Sequence, residues 1–279
     1  MISRGVAGIA RARIYWARVA DNPEGAAPPV EAPAPAPAAV PMASLRELVL
    51  AYAIAAAMPA VLLLVGRGLP FVSNNLHVLV AATFLIVPFE LLRRRNADLI
   101  DAGFVLGDPA KLLVLVGLFG LVVVPLFALG FGAFYHQLCA HWASLAPRGV
   151  CASLRPGGLL ELLQLPDKFG QHVATEVIVV AIPEELFFRG YLHGELEKRW
   201  PARRRLWGGG LGRALLLSSA LFALAHLAIT PDPRRLMVFF PGLLFGWMRS
   251  ATGSIAAGAT CHAGSNLLMK VLAATYFGG

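Results

Sequence analysis

An all-α, polytopic transmembrane helix bundle of about seven to eight spans is the fold the sequence predicts, and three observations carry it. The chain is 57% hydrophobic and only 14% charged, whereas about 25% of residues in a soluble domain are charged. Apolar runs of near-membrane length recur from residue 46 to the C-terminal end. The segments between them hold most of the Lys and Arg, which is a topology pattern rather than a soluble basic surface. The net charge of +8 and pI near 9.9 therefore do not indicate a nucleic-acid partner. The bilayer is the expected partner instead.

Residues 1–45 read as a basic amphipathic arm followed by a Pro/Ala-rich linker. Arg4, Arg11, Arg13 and Arg18 alternate with Ile9, Ile14, Tyr15, Trp16 and Val19, a mixture that suits the surface of an anionic leaflet. No long apolar stretch with a small-residue cleavage site follows, so a cleaved signal peptide is not expected. Prolines then remove backbone donors and fix φ over 23–41, which leaves an extended linker with nothing to pack.

Spans of about 20 apolar residues are predicted at 46–66, 72–92 and 112–134, forming an N-terminal transmembrane part at 46–134. A polar, turn-rich segment at 135–171 is read as an extramembrane loop, with an interfacial turn at 159–165. Residues 172–279 then supply spans at 172–192, 214–230, 236–249 and 252–277, the sixth being short and carrying Pro241. With the N-terminus cytoplasmic, Arg46, Arg93–Arg95, Lys111, Lys198, Arg199, Arg203–Arg205, Arg213 and Arg249 collect inside. Arg67, Arg148, Arg155, Lys168, Arg234 and Arg235 remain outside. Cys139, Cys151 and Cys261 form no CxxC pair or metal spacing, so neither a disulfide framework nor a zinc module is expected. Cys261 reads as a small packing residue.

The last four spans carry charge that an inert bundle would avoid. An ionisable residue at membrane depth costs on the order of 2.5–3.5 kcal/mol on insertion scales, so a cluster of them marks a functional site. In Glu184-Glu185-Leu186-Phe187-Phe188-Arg189, helical spacing puts Glu185 and Arg189 on one face as an ion pair. Glu184, about 100° away, faces the bundle interior. Pro183 is expected to kink or restart the helix. Phe222 and His226 share a face of the fifth span, and His262 and Asn266 share one in the seventh, with Gly258 and Gly264 allowing close helix approach. Counted inward from the inside ends at about 1.5 Å per residue, Glu184 lies roughly 13 Å deep, His226 roughly 20 Å and His262 roughly 17 Å. They can meet at one level. A carboxylate, two imidazoles and an amide in a wet pocket are the parts of a water-activating site with oxyanion stabilisation, and no Ser or Cys nucleophile is required.

The three motifs, EELFFR at 184–189, FALAH at 222–226 and HAGSN at 262–266, resemble the EExxxR, FxxxH and HxxxN set of the CAAX-protease and bacteriocin-processing (Abi-like) intramembrane protease family. The resemblance covers roughly 171–277. It implies a helical bundle that cleaves a peptide bond near the membrane-associated end of a substrate. On this chain it implies that Glu184 activates water, His226 positions it, His262 and Asn266 form the oxyanion site, and Glu185, Arg189 and Phe222 support them. No cofactor is expected; were a metal such as zinc used, Glu184, His226 and His262 would hold it, although an Asn amide is a poor zinc ligand. The Ala, Pro, Gly and Arg bias points to a bacterium, hence to its inner membrane and to a membrane-anchored protein or peptide, such as a C-terminal sorting tail, as substrate. The competing class is a non-enzymatic immunity factor or ion-binding, transport-related scaffold. A transporter would favour internal repeats, and none is visible.

Overall fold

The computed structural model describes residues 41–159, 163–229 and 232–278. The arm at 1–20 and all but the end of the linker lie outside the described residues, as does the centre of the turn expected at 159–165. The described chain is predominantly α-helical, and each of the seven predicted segments is helical. α1 is Leu45–Gly66, capped by Ser44, whose Oγ accepts the Glu47 N–H at 3.1 Å. α2 is Leu76–Arg94. α3 is Pro109–His141, begun by Asp108, whose carboxylate accepts the Ala110 and Lys111 amides, with Pro109 at the first helical position. The loop expected from 135 therefore starts later, at Trp142. α4 covers 169–199 without interruption, α5 is Arg213–Ile229, α6 is Phe239–Thr252 and α7 is Ala256–Phe277. Pro241 falls in the first turn of α6, where no intrahelical donor is needed.

Pro183 does not restart α4, which runs on as helix through it. The helix widens into π-type turns at Thr175–Ala181 and again at Leu186–His193. A proline lacks an N–H and crowds the carbonyl four residues back; that carbonyl, on Val179, sits inside the widened stretch. The all-α expectation is amended by a small hairpin, β1 Arg204–Leu206 antiparallel to β2 Gly209–Leu211. Its two-residue turn, Trp207-Gly208, has φ of +47° and +85°, the signature of the turn that matches strand twist.

Three helices among the described residues, α1, α2 and α3, are long and apolar enough to cross a membrane by length and composition. The later helices fall short because α5 and α6 are brief and α4 and α7 carry inward-facing polar groups. The outer surface of the early helices is apolar: Leu121 is 78% exposed and Leu113 72%. In contrast, every residue of the stretch Leu186–His193 is buried, so α4 is the central post. Phe84 of α2 packs on Phe187 and Phe188 at ring distances of 5.5 and 5.6 Å, and Phe188 meets Phe222 of α5 at 5.0 Å.

One end of the bundle is basic. There Glu195 accepts the Ala43 N–H at 2.7 Å, Arg95 Nη1 at 3.0 Å and Lys198 Nζ at 2.7 Å, and Tyr191 donates to Glu47 at 2.7 Å. At the opposite end Cys139 and Cys151 are joined in a disulfide, contrary to expectation. Their sequence spacing says nothing of the way residues 142–150 fold back on the end of α3. Cys261 is free and buried, as expected.

Candidate functional site

Three helices deliver the predicted residues to one place. Glu184 Oε2 lies 4.0 Å from His226 Nε2 and 3.8 Å from His262 Nε2. Both distances are longer than a hydrogen bond. Glu184 Oε2 is buried without a hydrogen-bond partner. Together with Asn266, these groups line a cavity of about 500 Å³ that also takes in Phe222 and Phe245.

Each imidazole is oriented by its other nitrogen. His226 Nδ1 donates to the Phe222 carbonyl at 3.0 Å. A carbonyl only accepts, so the Nδ1 of His226 carries the proton and its Nε2 offers a lone pair to the cavity. His262 Nδ1 donates to Glu185 Oε1 at 3.0 Å, and the same oxygen faces Arg189 Nη1 at 3.3 Å. The ion pair read from the four-residue spacing is thus present, and it does more than brace its own helix: Glu185 also fixes the cavity-lining imidazole of α7. The Arg189 guanidinium lies 4.0 Å above the Phe222 ring, a cation–π contact that offsets part of the burial of its charge.

Small residues permit this crowding. A Cβ on Gly258 would come within 3.1 Å of Glu185 Oε2, and one on Gly242 within 3.4 Å of Arg189 Nη2. Gly264 does not share the role expected of it. It has open space where a Cβ would stand, because two residues on from His262 the helix has turned about 200°.

Asn266 is on the cavity wall, but its amide is not free. Asn266 Nδ2 donates to Glu176 Oε2 at 2.8 Å, and Glu176 Oε1 pairs with Lys270 Nζ at 3.4 Å. Glu176 is 7% exposed. Sequence reasoning missed both partners. The signal for Lys270 was present, since 262, 266 and 270 form a four-residue series on one helical face; Glu176 was a lone acid in an apolar run, which should itself have raised a site hypothesis. Phe245 was also missed, and its ring stacks on His262 at 5.4 Å and 16°. Among the described residues no group of three or more His, Cys, Asp or Glu side chains is arranged to hold a metal ion.

Residues 170–268 match the family model of the type II CAAX prenyl endopeptidase Rce1-like proteins. The match takes in α4, α5, α6 and the part of α7 that bears His262 and Asn266, and leaves α1–α3 outside. No curated protein and no solved structure matches the chain.

Proposed function

We propose, from the premise that residues 170–268 form an Rce1-like CAAX endopeptidase domain in a membrane protein, that the chain is an intramembrane endopeptidase using a glutamate-activated water. The observation that carries this reading is the approach of Glu184 Oε2 to two histidine Nε2 atoms, at 3.8 and 4.0 Å, from three different helices. Glu184 takes a proton from water as the water oxygen bonds to the scissile carbonyl carbon. The Nε2 lone pair of His226 accepts the water's second hydrogen and holds its orientation. His262, fixed through Nδ1 by Glu185, donates from Nε2 in its protonated form to the developing oxyanion. The Asn266 N–H that Glu176 does not engage supplies the second donor. The proton on Glu184 then passes to the leaving amine as the C–N bond breaks. No step is routed through a metal.

In this reading all seven labelled helices cross the bacterial inner membrane, with the basic end cytoplasmic. The polar faces of α4–α7 are tolerated because they turn toward one another and the cavity. The substrate is a membrane-anchored protein or peptide cut near its membrane-associated end. Co-expression with a panel of anchored reporter tails tests this. Wild type should release the tail and an equally inserted Glu184→Gln variant should not; equal processing by both removes Glu184 from the mechanism, and processing by neither favours a non-enzymatic scaffold.

A further inference from the structure

Resting on the protease reading above, we infer that the catalytic cavity takes its substrate from the extracytoplasmic side of the membrane. The helix directions fix which end the cavity faces. α4 and α7 run antiparallel, with Glu176 against Asn266 and Lys270, and Glu185 against His262. Below the Glu184 cluster, α4 continues to the basic end, where Glu195 meets Arg95 and Glu197 meets Ser250. The cavity does not follow it. Its walls continue to Leu63, His77, Arg235, Met269 and Lys270. Leu63 is near the end of α1 remote from Glu47, His77 is at the start of α2, and Arg235 is in the turn before α6, so all lie away from the basic end.

The disulfide lies at the end these residues approach. The end of α3 and the segment after it cap the C-terminal end of α7: Tyr135 of α3 packs on Phe277 at 5.0 Å, the Arg155 N–H donates to the Tyr276 carbonyl at 2.8 Å, and the Gln164 N–H donates to Thr275 Oγ1 at 3.1 Å. Cys139 and Cys151 are joined within that cap. Disulfides persist in oxidising compartments, and Lys and Arg accumulate on the cytoplasmic side. The two rules are independent and assign the same orientation. The scissile bond accordingly belongs to a polypeptide segment exposed outside the cytoplasm, adjoining its membrane anchor.

Thiol labelling in intact bacterial cells tests the orientation without requiring activity. Arg235 and Arg203 are exposed at opposite ends, and the native background is low because Cys261 is buried and the other two cysteines are paired. In the full chain, Arg235→Cys should react with a charged, membrane-impermeant maleimide in intact cells, and Arg203→Cys only after permeabilisation. The reverse pattern, or Cys139 and Cys151 recovered as free thiols, overturns the inference. A second arm presents one reporter tail outside and one in the cytoplasm, each with wild type and Glu184→Gln. Glu184-dependent cleavage of the external tail alone supports the inference, whereas cleavage of the cytoplasmic tail alone overturns it while the protease reading stands. No cleavage of either tail by a correctly oriented protein removes the protease reading, and the substrate assignment with it.

Discussion

Helices α3 and α4 are both long, and both widen into a π-type stretch just ahead of a proline: Phe119–Val123 before Pro125 and Thr175–Ala181 before Pro183. Their surroundings are opposite. α3 turns Leu113, Leu121 and Leu126 outward, each more than half exposed, whereas α4 buries every side chain from Leu186 to His193. The same backbone device therefore serves different ends. In α3 it accommodates a proline in a helix whose outer face is apolar and exposed. In α4 it passes the chain over Pro183 so that Glu184 and Glu185, adjacent in sequence, take separate tasks: one faces the cavity and the other binds Arg189 and His262.

Substitutions in the two helices should differ sharply in effect. The largest loss of stability is expected for Arg189→Met, which leaves the fully buried Glu185 with His262 as its remaining partner. Breaking a buried pair by removing one member costs about 3–5 kcal/mol. Thermal unfolding in detergent should show a large fall in midpoint or no folded protein; a midpoint near wild type would mean that Glu185 does not depend on the guanidinium.

A smaller and more specific effect is expected at Glu176. Glu176→Ala frees the Asn266 amide and should lower kcat about ten- to a hundredfold, since a hydrogen bond to a charged group contributes about 1.5–3 kcal/mol. Glu176→Gln keeps an acceptor for Asn266 and should retain most of the activity. Equal losses in both variants would assign Glu176 a charge-pairing role with Lys270 instead. The smallest effect belongs to α3, where Leu121→Ala removes a side chain that packs on little protein and should change stability by no more than about 0.5 kcal/mol. A loss of several times that amount would show that this face of α3 is covered by a partner.

Much of the site was legible because helical spacing and membrane depth are simple geometry. The four-residue step located Glu185 with Arg189 and Phe222 with His226, and counting residues from the inside ends brought Glu184, His226 and His262 to one level. What spacing cannot supply is contact between distant segments. Cys139 and Cys151 end with Cα atoms 5.4 Å apart only because of how the intervening loop folds back. That Glu176 meets Asn266 and Lys270 follows only once α4 and α7 lie antiparallel. Gly264 was misread for a local reason, being on the opposite face from His262, and the hairpin was missed because Arg203–Arg205 were read as topology charges and the turn chemistry of Trp207-Gly208 was not. The span count is the coarsest expectation: by length and composition only α1–α3 among the described helices are long and apolar enough to cross a membrane, while the polar groups that α4–α7 carry lower any window average.

The proposed mechanism turns on Glu184 as the base that activates water. The most direct measurement compares peptide cleavage by purified wild type and Glu184→Gln in the same detergent, after matching their unfolding midpoints. A Gln of nearly the same shape keeps the cavity wall but cannot accept the proton. A glutamate base predicts a fall in kcat of about 10²–10⁴-fold with KM little changed. A Glu184→Gln protein that is folded and cleaves at the wild-type rate would contradict it.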